Sequence, residues 1–151
     1  NRISEKVPLV GLGADVIVGF PGESRDKFEN TRDMIDNLPF SSLHVFSYSG
    51  RQGTEAYDFF DTITKDEKKS RNKELTDLIE IKAIKFREKF IGKTVSVLFE
   101  EQRDRETGLL KGHSEHYIPV LADGNNSLIN QIVSTKIQEI KGNKVFGCVQ
   151  S

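Results

Sequence analysis

Asp15-Val16-Ile17-Val18-Gly19-Phe20-Pro21-Gly22-Glu23-Ser24 decides how the first half of the chain is read. Val16, Ile17, Val18 and Phe20 are β-branched or aromatic and fall on both faces of an extended segment. A half-buried strand would alternate with polar residues. This pattern predicts instead a strand of a parallel sheet covered on both sides. Asp15 opens the strand and reads as a structural hydrogen-bond acceptor. Pro21-Gly22 breaks it. Ser24 is placed to cap a helix, with Asp26 in the first turn. Phe28, Thr31, Ile35 and Leu38 then keep helical spacing until Pro39 stops it. Leu43-His44-Val45-Phe46-Ser47-Tyr48 is a second strand. Strand, helix and strand with short links make a βαβ unit, which implies parallel strands and a right-handed crossover.

Upstream, Ile3 to Leu9 reads as the tail of a helix, closed by Pro8 or by a Gly11-Leu12-Gly13 turn. Downstream, Arg51-Gln52-Gly53-Thr54 is loop, and Thr64 with Glu67 forms a capping box. Leu75, Leu78, Ile79, Ala83, Phe86 and Phe90 recur at helical spacing, which predicts one amphipathic helix of about 25 residues closed by Gly92. Its lysines and arginines read as a solvated face. After it come Thr94 to Phe99, Gly108 to Ser114, Tyr117 to Leu121, Ile132 to Ile140 and Lys144 to Val149. Turns lie at Asp123-Gly124-Asn125 and Lys141-Gly142-Asn143. Short strands at this density predict a small closed barrel of OB-like type. The expected fold class is α/β followed by all-β, divided at residues 1–88 and 89–151.

The 151 residues carry 22 Lys+Arg against 23 Asp+Glu, a net charge of −1. That excludes a strongly basic coat for nucleic acid, though not a local basic face. One cysteine, Cys148, excludes a disulfide framework and any cysteine-ligated zinc or iron–sulfur site built by this chain alone. Cys148 near a strand end reads as a small core residue. No apolar run reaches 18 residues, and the first residues lack a signal-peptide pattern. Asn1-Arg2-Ile3 reads as mid-chain text, so the expectation is a fragment of a longer protein.

Gly19-Phe20-Pro21-Gly22-Glu23-Ser24 joins a strand to a helix, but it is not a P-loop, because no Gly-Lys-Ser/Thr follows, and it is not GxGxxG. It reads either as an ordinary βα loop or as a place where Gly19 lets a ligand approach the strand's C-terminal end. Tyr48-Ser49-Gly50-Arg51-Gln52-Gly53-Thr54 also follows a strand. It is either a polar surface loop or one that sets Arg51 against a carboxylate or phosphate. His113-x-x-His116 lacks further ligands and is not read as a metal site. With Lys111 and Tyr117 it is either ordinary barrel surface or a patch that stacks and pairs with RNA.

Three passages together resemble one family, the radical-SAM methylthiotransferases. Asp15 to Glu23 looks like a barrel strand of those enzymes, and Tyr48-Ser49-x-Arg51-x-Gly53-Thr54-x-Ala56 like their next strand and loop. Phe90-Ile91-Gly92-Lys93, Val97-Leu98-Phe99-Glu100-Glu101 and Gly112-His113-Ser114-Glu115-His116-Tyr117-Ile118-Pro119-Val120 look like their C-terminal TRAM domain. Order and spacing match across essentially the whole chain. Ser24 stands where Thr is usual, and Glu55 where Pro is usual. The Leu38-Pro39-Phe40 and Leu43-His44-Val45-Phe46 wording is closest to the branch that modifies N6-threonylcarbamoyladenosine at position 37 of tRNA.

The resemblance implies the end of a partial radical-SAM (β/α) barrel over 1–88 and a TRAM domain over 89–151. It implies S-adenosylmethionine and two 4Fe–4S clusters in a full-length cytoplasmic enzyme. Their cysteines belong to a CxxxCxxC loop and an N-terminal domain that this chain lacks, so its first partner is the N-terminal part of the same polypeptide. Cleaving S-adenosylmethionine to a radical is the cofactors' chemistry; the protein holds the pieces in place. By resemblance Val18, Gly19, Phe46 and Tyr48 contact S-adenosylmethionine, with Ser49 and Arg51 at the pocket mouth. The barrel grips a tRNA anticodon stem-loop through Lys93, Arg103, Arg105, Lys111, His113, His116 and Tyr117. No membrane partner is implied, and open barrel strands invite self-association. The rivals are a stand-alone RNA-binding module, the isopentenyladenosine branch and the branch acting on a ribosomal protein. With one cysteine, the 151-residue chain is expected to bind no stoichiometric cluster after anaerobic reconstitution. Iron and sulfide at one cluster per chain would overturn that.

Overall fold

The computed structural model describes residues 2–60 and 62–150. They form two compact units: one comprises Leu12–Ala83 with the stretch up to Pro8, the other Leu9–Gly11 with the chain from Ile84 onward.

In the first unit, β1 (Leu12–Val18) and β2 (Phe40–Ser47) pair in parallel, with Val16 opposite Val45 and Ile17 opposite Phe46. Between them runs α2 (Arg25–Asn37), and the predicted cap is present: the Ser24 hydroxyl accepts the Lys27 N–H at 3.3 Å. Leu38 ends the helix in extended backbone before Pro39. The short α1 (Arg2–Lys6) precedes β1. Leu12 and Gly13, expected as a turn, instead open β1, because they find partners in Phe40 and Ser42 across a bulge. Likewise Asp15 sits inside the strand, opposite His44, and is exposed rather than an opening acceptor. The long helix α3 (Lys65–Glu88) starts at the predicted box, where the Thr64 hydroxyl accepts the Glu67 N–H at 3.1 Å.

Val18, Phe28, Ile35 and Leu75 form a buried cluster, with Val16, Leu43, Val45 and Leu78 packed against it. Each fully buried side chain of this kind contributes about 1.5–3 kcal/mol. Burial along β1 alternates, which corrects the expectation of cover on both faces. Residues from α2 and α3 pack on one side only. Ile17, Phe46, Asp15 and His44 face the other side and are exposed.

The second unit is a closed barrel of β3 (Thr94–Phe99), β4 (Leu110–Ser114), β5 (Pro119–Asp123), β6 (Ile132–Lys141) and β7 (Lys144–Val149). The order is β3-β4-β5-β7-β6 and back to β3, antiparallel throughout except for β5 with β7. Val95, Val97 and Phe99 point inward while Thr94, Ser96 and Leu98 point out, as strict alternation requires. They meet Leu110, Ile118, Val120, Ile137 and Val145, with Phe86 and Phe90 in the same core. Gly92, at φ +80°, turns the chain out of α3, and its N–H donates to Ile137 O at 2.8 Å.

Three expectations shift here. Gly108 lies in a turn, so β4 begins at Leu110. Tyr117 does not start β5. It sits at φ +58° in a turn tied by Ser114, whose hydroxyl accepts the N–H groups of His116 and Ile118. Cys148 is exposed rather than in the core, because Val145 fixes the inward phase of β7 and Cys148 falls on the outward one. Among the described residues, no helix is long and apolar enough to cross a membrane.

The barrel has no edge, whereas neither β1 nor β2 has a second neighbour among the described residues. Unpaired edges beside exposed Ile17 and Phe46 template further pairing. Sedimentation velocity of the 151-residue chain is therefore expected to show concentration-dependent association that Ile17→Lys with Phe46→Lys relieves. A monodisperse monomer at all concentrations would contradict this.

Candidate functional site

The C-terminal ends of β1 and β2 build a cavity of about 500 Å³, a size that suits a small-molecule ligand. Ile17 and Phe46, opposite each other in register, supply its apolar wall. Tyr48, Ser49, Arg51 and Thr54 supply hydroxyls and one guanidinium. Tyr48 is the pivot. Its N–H donates to Val18 O at 2.8 Å, extending the ladder, and its hydroxyl donates to Ala56 O at 2.7 Å, tying down the following loop. The Thr54 hydroxyl donates to Arg51 O at 2.8 Å within that loop. Phe20 meets the Tyr48 ring edge-on, with centroids 5.1 Å apart.

Of the six residues expected to contact S-adenosylmethionine, Phe46, Tyr48, Ser49 and Arg51 line this cavity together. The Val18 side chain is fully buried on the helix side, and its carbonyl is taken by Tyr48, so it shapes the wall from behind. Gly19, at φ +74°, does not line the cavity but sets the direction in which the chain leaves β1. A side chain there would collide with the Lys68 stem, so both conformation and space demand glycine.

What holds Gly19 comes from α3. The Gly19 N–H donates to Glu23 Oε2, the same oxygen that Arg71 meets at 2.9 Å. Arg71 also donates to Glu23 O at 2.8 Å and to Glu67 Oε1 at 2.9 Å, and its guanidinium lies over the Phe28 ring. Lys68 extends over the Tyr48 ring and reaches Tyr48 O at 3.4 Å. Arg71 is 4% and Lys68 8% exposed, so the expectation of a uniformly solvated cationic face on α3 is corrected. Neither was singled out from the sequence. The signal was present: positions 68, 71, 75 and 79 run as one stripe ending in buried Leu75 and Ile79.

On the barrel, His113, Tyr117, Leu98, Ile132 and Ser96 border a second hollow of about 450 Å³. Tyr117 is 90% exposed, so it is not a core residue. His113 Nδ1 lies 2.7 Å from Glu100 Oε1, and Lys111 Nζ lies 3.3 Å from Glu100 Oε2. A carboxylate only accepts, so the Nδ1 proton points at Glu100. Lys93 and Arg105 are exposed, and neither forms an ion pair among the described residues. Arg103 is placed differently. Its guanidinium donates to Gly108 O at 2.9 Å, Gly124 O at 2.8 Å and Asn126 Oδ1 at 2.8 Å, clasping two barrel loops. The His116 ring packs on core Phe90, with centroids 4.8 Å apart. Leu98 and Ile132 were missed, because in alternating strands an exposed aliphatic is indistinguishable from a core one until register is known.

Among the described residues, no group of three or more His, Cys, Asp or Glu side chains forms a metal-ligand set. No family model matches the chain. Along nearly its whole length the chain is similar to tRNA-2-methylthio-N(6)-dimethylallyladenosine synthases. It is 33% identical to that of Protochlamydia amoebophila over 150 residues, 99% of this chain and 33% of the relative. It is 34% identical to that of Clostridium tetani over 137 residues, 91% of this chain and 30% of the relative. It is 35% identical to that of Geobacillus kaustophilus over 141 residues, 93% of this chain and 27% of the relative. The chain thus spans about a third of the length of the curated relatives it matches.

The Glu100 cluster has a pH consequence. Partial burial works against ionising Glu100, but the hydrogen bonds from His113 and Lys111 outweigh it, and the carboxyl titrates below its ordinary value. A depressed carboxyl adds stability that is complete above the unfolded value of about 4.3 and is lost as pH falls through the lower folded value. Urea titrations are expected to show Glu100→Gln less stable than the parent at pH 6, with the difference shrinking below pH 4. A difference independent of pH would contradict it.

Proposed function

We propose that this chain is the part of a radical-SAM tRNA methylthiotransferase that completes the cofactor barrel and grips the RNA. The cavity at the ends of β1 and β2 carries the proposal, because the two strand-end passages that resemble the family converge on it. Its chemistry fits S-adenosylmethionine. Ile17 and Phe46 offer a flat apolar wall to adenine, Tyr48 and Ser49 offer polar groups to the ribose, and Arg51 offers a counter-charge to the methionine carboxylate. The bound cofactor supplies the radical that opens an aromatic C–H to sulfur. Gly19 and its Glu23–Arg71 brace keep the strand end in the conformation the cavity needs. The clusters do not fit here: the single cysteine is exposed, and among the described residues no ligand set surrounds it. They belong, in this proposal, to the rest of the polypeptide.

The barrel, an OB-like TRAM domain in this proposal, meets the anticodon stem-loop with Tyr117, His113 and Lys111, flanked by Lys93 and Arg105. Arg103 and His116 serve by holding the loops and turn that present them. The target nucleoside is N6-threonylcarbamoyladenosine, supported by the Leu38–Phe40 and Leu43–Phe46 wording. A second product, the dimethylallyl derivative, is favoured by the names of the relatives. A tRNA substrate places the enzyme in the cytoplasm.

The test is the intact protein expressed in a host lacking tRNA methylthiolation, with nucleosides read by mass spectrometry. The expected product is 2-methylthio-N6-threonylcarbamoyladenosine, cut at least roughly tenfold by Phe46→Asp. The dimethylallyl product would move the assignment to that branch, and neither product would overturn the proposal. Tyr117→Ala should weaken anticodon stem-loop binding by about 1–3 kcal/mol without lowering the melting temperature, as expected for an exposed stacking ring. Unchanged affinity would remove Tyr117 from the interface.

A further inference from the structure

Leu98 and Ile132 stand out on the outer face of the barrel, 49% and 74% exposed. The register brings them together. Leu98 of β3 lies opposite Ile132 of β6 on one side and opposite His113 of β4 on the other. His113 in turn lies opposite Pro119 of β5. One row, Ile132–Leu98–His113–Pro119, therefore crosses four strands. With neighbouring strands about 4.8 Å apart, its first three members make a strip roughly 10 Å wide. Tyr117 borders the same hollow. Its φ of +58° is a left-handed conformation that a bulky residue rarely adopts. The Ser114 hydroxyl holds that turn through the N–H groups of His116 and Ile118, and the Tyr117 ring stays in water. A strained backbone under an exposed ring is a feature that contact with a ligand explains.

The surrounding charges say what kind of ligand. Two acids lie near the row, and both are engaged. Glu100 meets His113 and Lys111, while Glu115 accepts the Ser96 N–H at 2.8 Å and lies 3.9 Å from His116 Nε2. Two rungs along β3, Lys136 lies opposite Thr94, and Lys93 precedes Thr94 in the chain. Both lysines are exposed, and neither forms an ion pair among the described residues. An apolar strip bordered by free ammonium groups matches a strand that carries flat apolar faces on an anionic backbone. A paired stem hides its base faces in its own stack, so only unpaired bases offer them. The polar member of the row is also oriented: with Nδ1 taken by Glu100, His113 keeps Nε2 for a base edge.

We propose that this row is a seat for an unpaired RNA base. Leu98 and Ile132 form its floor, Tyr117 a second stacking face, and His113 the group that meets the base edge. Lys93 and Lys136 take the backbone. The seat rests on the tRNA reading above and names the part of the RNA that this face takes: loop bases, not the stem.

The experiment compares the intact protein with Leu98→Ser/Ile132→Ser and with Lys93→Gln/Lys136→Gln. Fluorescence anisotropy reads affinity for a short unstructured oligoribonucleotide and for a fully paired RNA duplex across a salt series. The apolar variant should bind the oligoribonucleotide roughly tenfold more weakly with an unchanged log–log salt slope, since no phosphate contact is lost. The lysine variant should instead lower the slope by about 1.4. Duplex binding should be the same in the apolar variant and the parent. All four positions are exposed, so melting temperatures should agree. If the double serine variant is less stable, Ile132→Ala alone decides, by weakening binding at an unchanged melting temperature. Unchanged oligoribonucleotide affinity in the apolar variants would overturn the seat, and with a lowered melting temperature it would show that another part of the polypeptide covers the row. An equal loss on the duplex would overturn the unpaired base as occupant. A protein that binds the oligoribonucleotide through this row but methylthiolates no tRNA would overturn the enzyme reading and uphold the seat. One that methylthiolates tRNA while its apolar variant binds like the parent would overturn the seat alone.

Discussion

The first unit depends on one buried guanidinium. Arg71 is charged, almost wholly removed from water, and set against two carboxylates and a backbone carbonyl. Desolvating such a group is expensive, and buried ion pairs rarely add net stability over apolar packing. What Arg71 adds is a single geometry. It fixes Glu23, Glu23 fixes the Gly19 amide, and the loop between β1 and α2 then has one arrangement. Lys68, one turn earlier on the same stripe, does the same for the end of β2 through the Tyr48 carbonyl and ring. Both strand ends that border the cavity are thus referred to one rigid helix, as a binding site built on loops requires.

Much of the architecture was legible because local signals agreed with one another. Ser24 and Thr64 announced helix starts that the structure contains, Pro39 a stop, and the polar–apolar alternation of Thr94 to Phe99 a strand with those bounds. The parallel pairing of β1 and β2 followed from the helix between them. The limits of that reasoning were tertiary. Apolar residues on both faces of β1 did not mean cover on both faces, since Ile17 and Phe46 border an open side. Tyr117 looked like the start of a strand until the Ser114 hydroxyl claimed the surrounding amides.

The candidate site was legible by chemistry more than by role. Phe46, Tyr48, Ser49 and Arg51 were grouped from the sequence and do share one cavity. Charge alone did not reveal surroundings: Arg103 clasps two loops, and Lys68 and Arg71, read as solvated, are buried. A charged residue's role follows from who its neighbours are, and those neighbours come from segments distant in the chain.

The contrast between a closed barrel and a two-stranded sheet reaches beyond geometry. Every barrel strand has two hydrogen-bonded neighbours, so its amides open only when the whole ring does. The outer amides of β1 and β2 have no such protection among the described residues. Stability is therefore unevenly shared along the chain, lowest in the two-stranded sheet. A unit of that kind opens as a foldon at low cost, and any group that bound its folded form would also tighten it, so occupancy and local order would rise together.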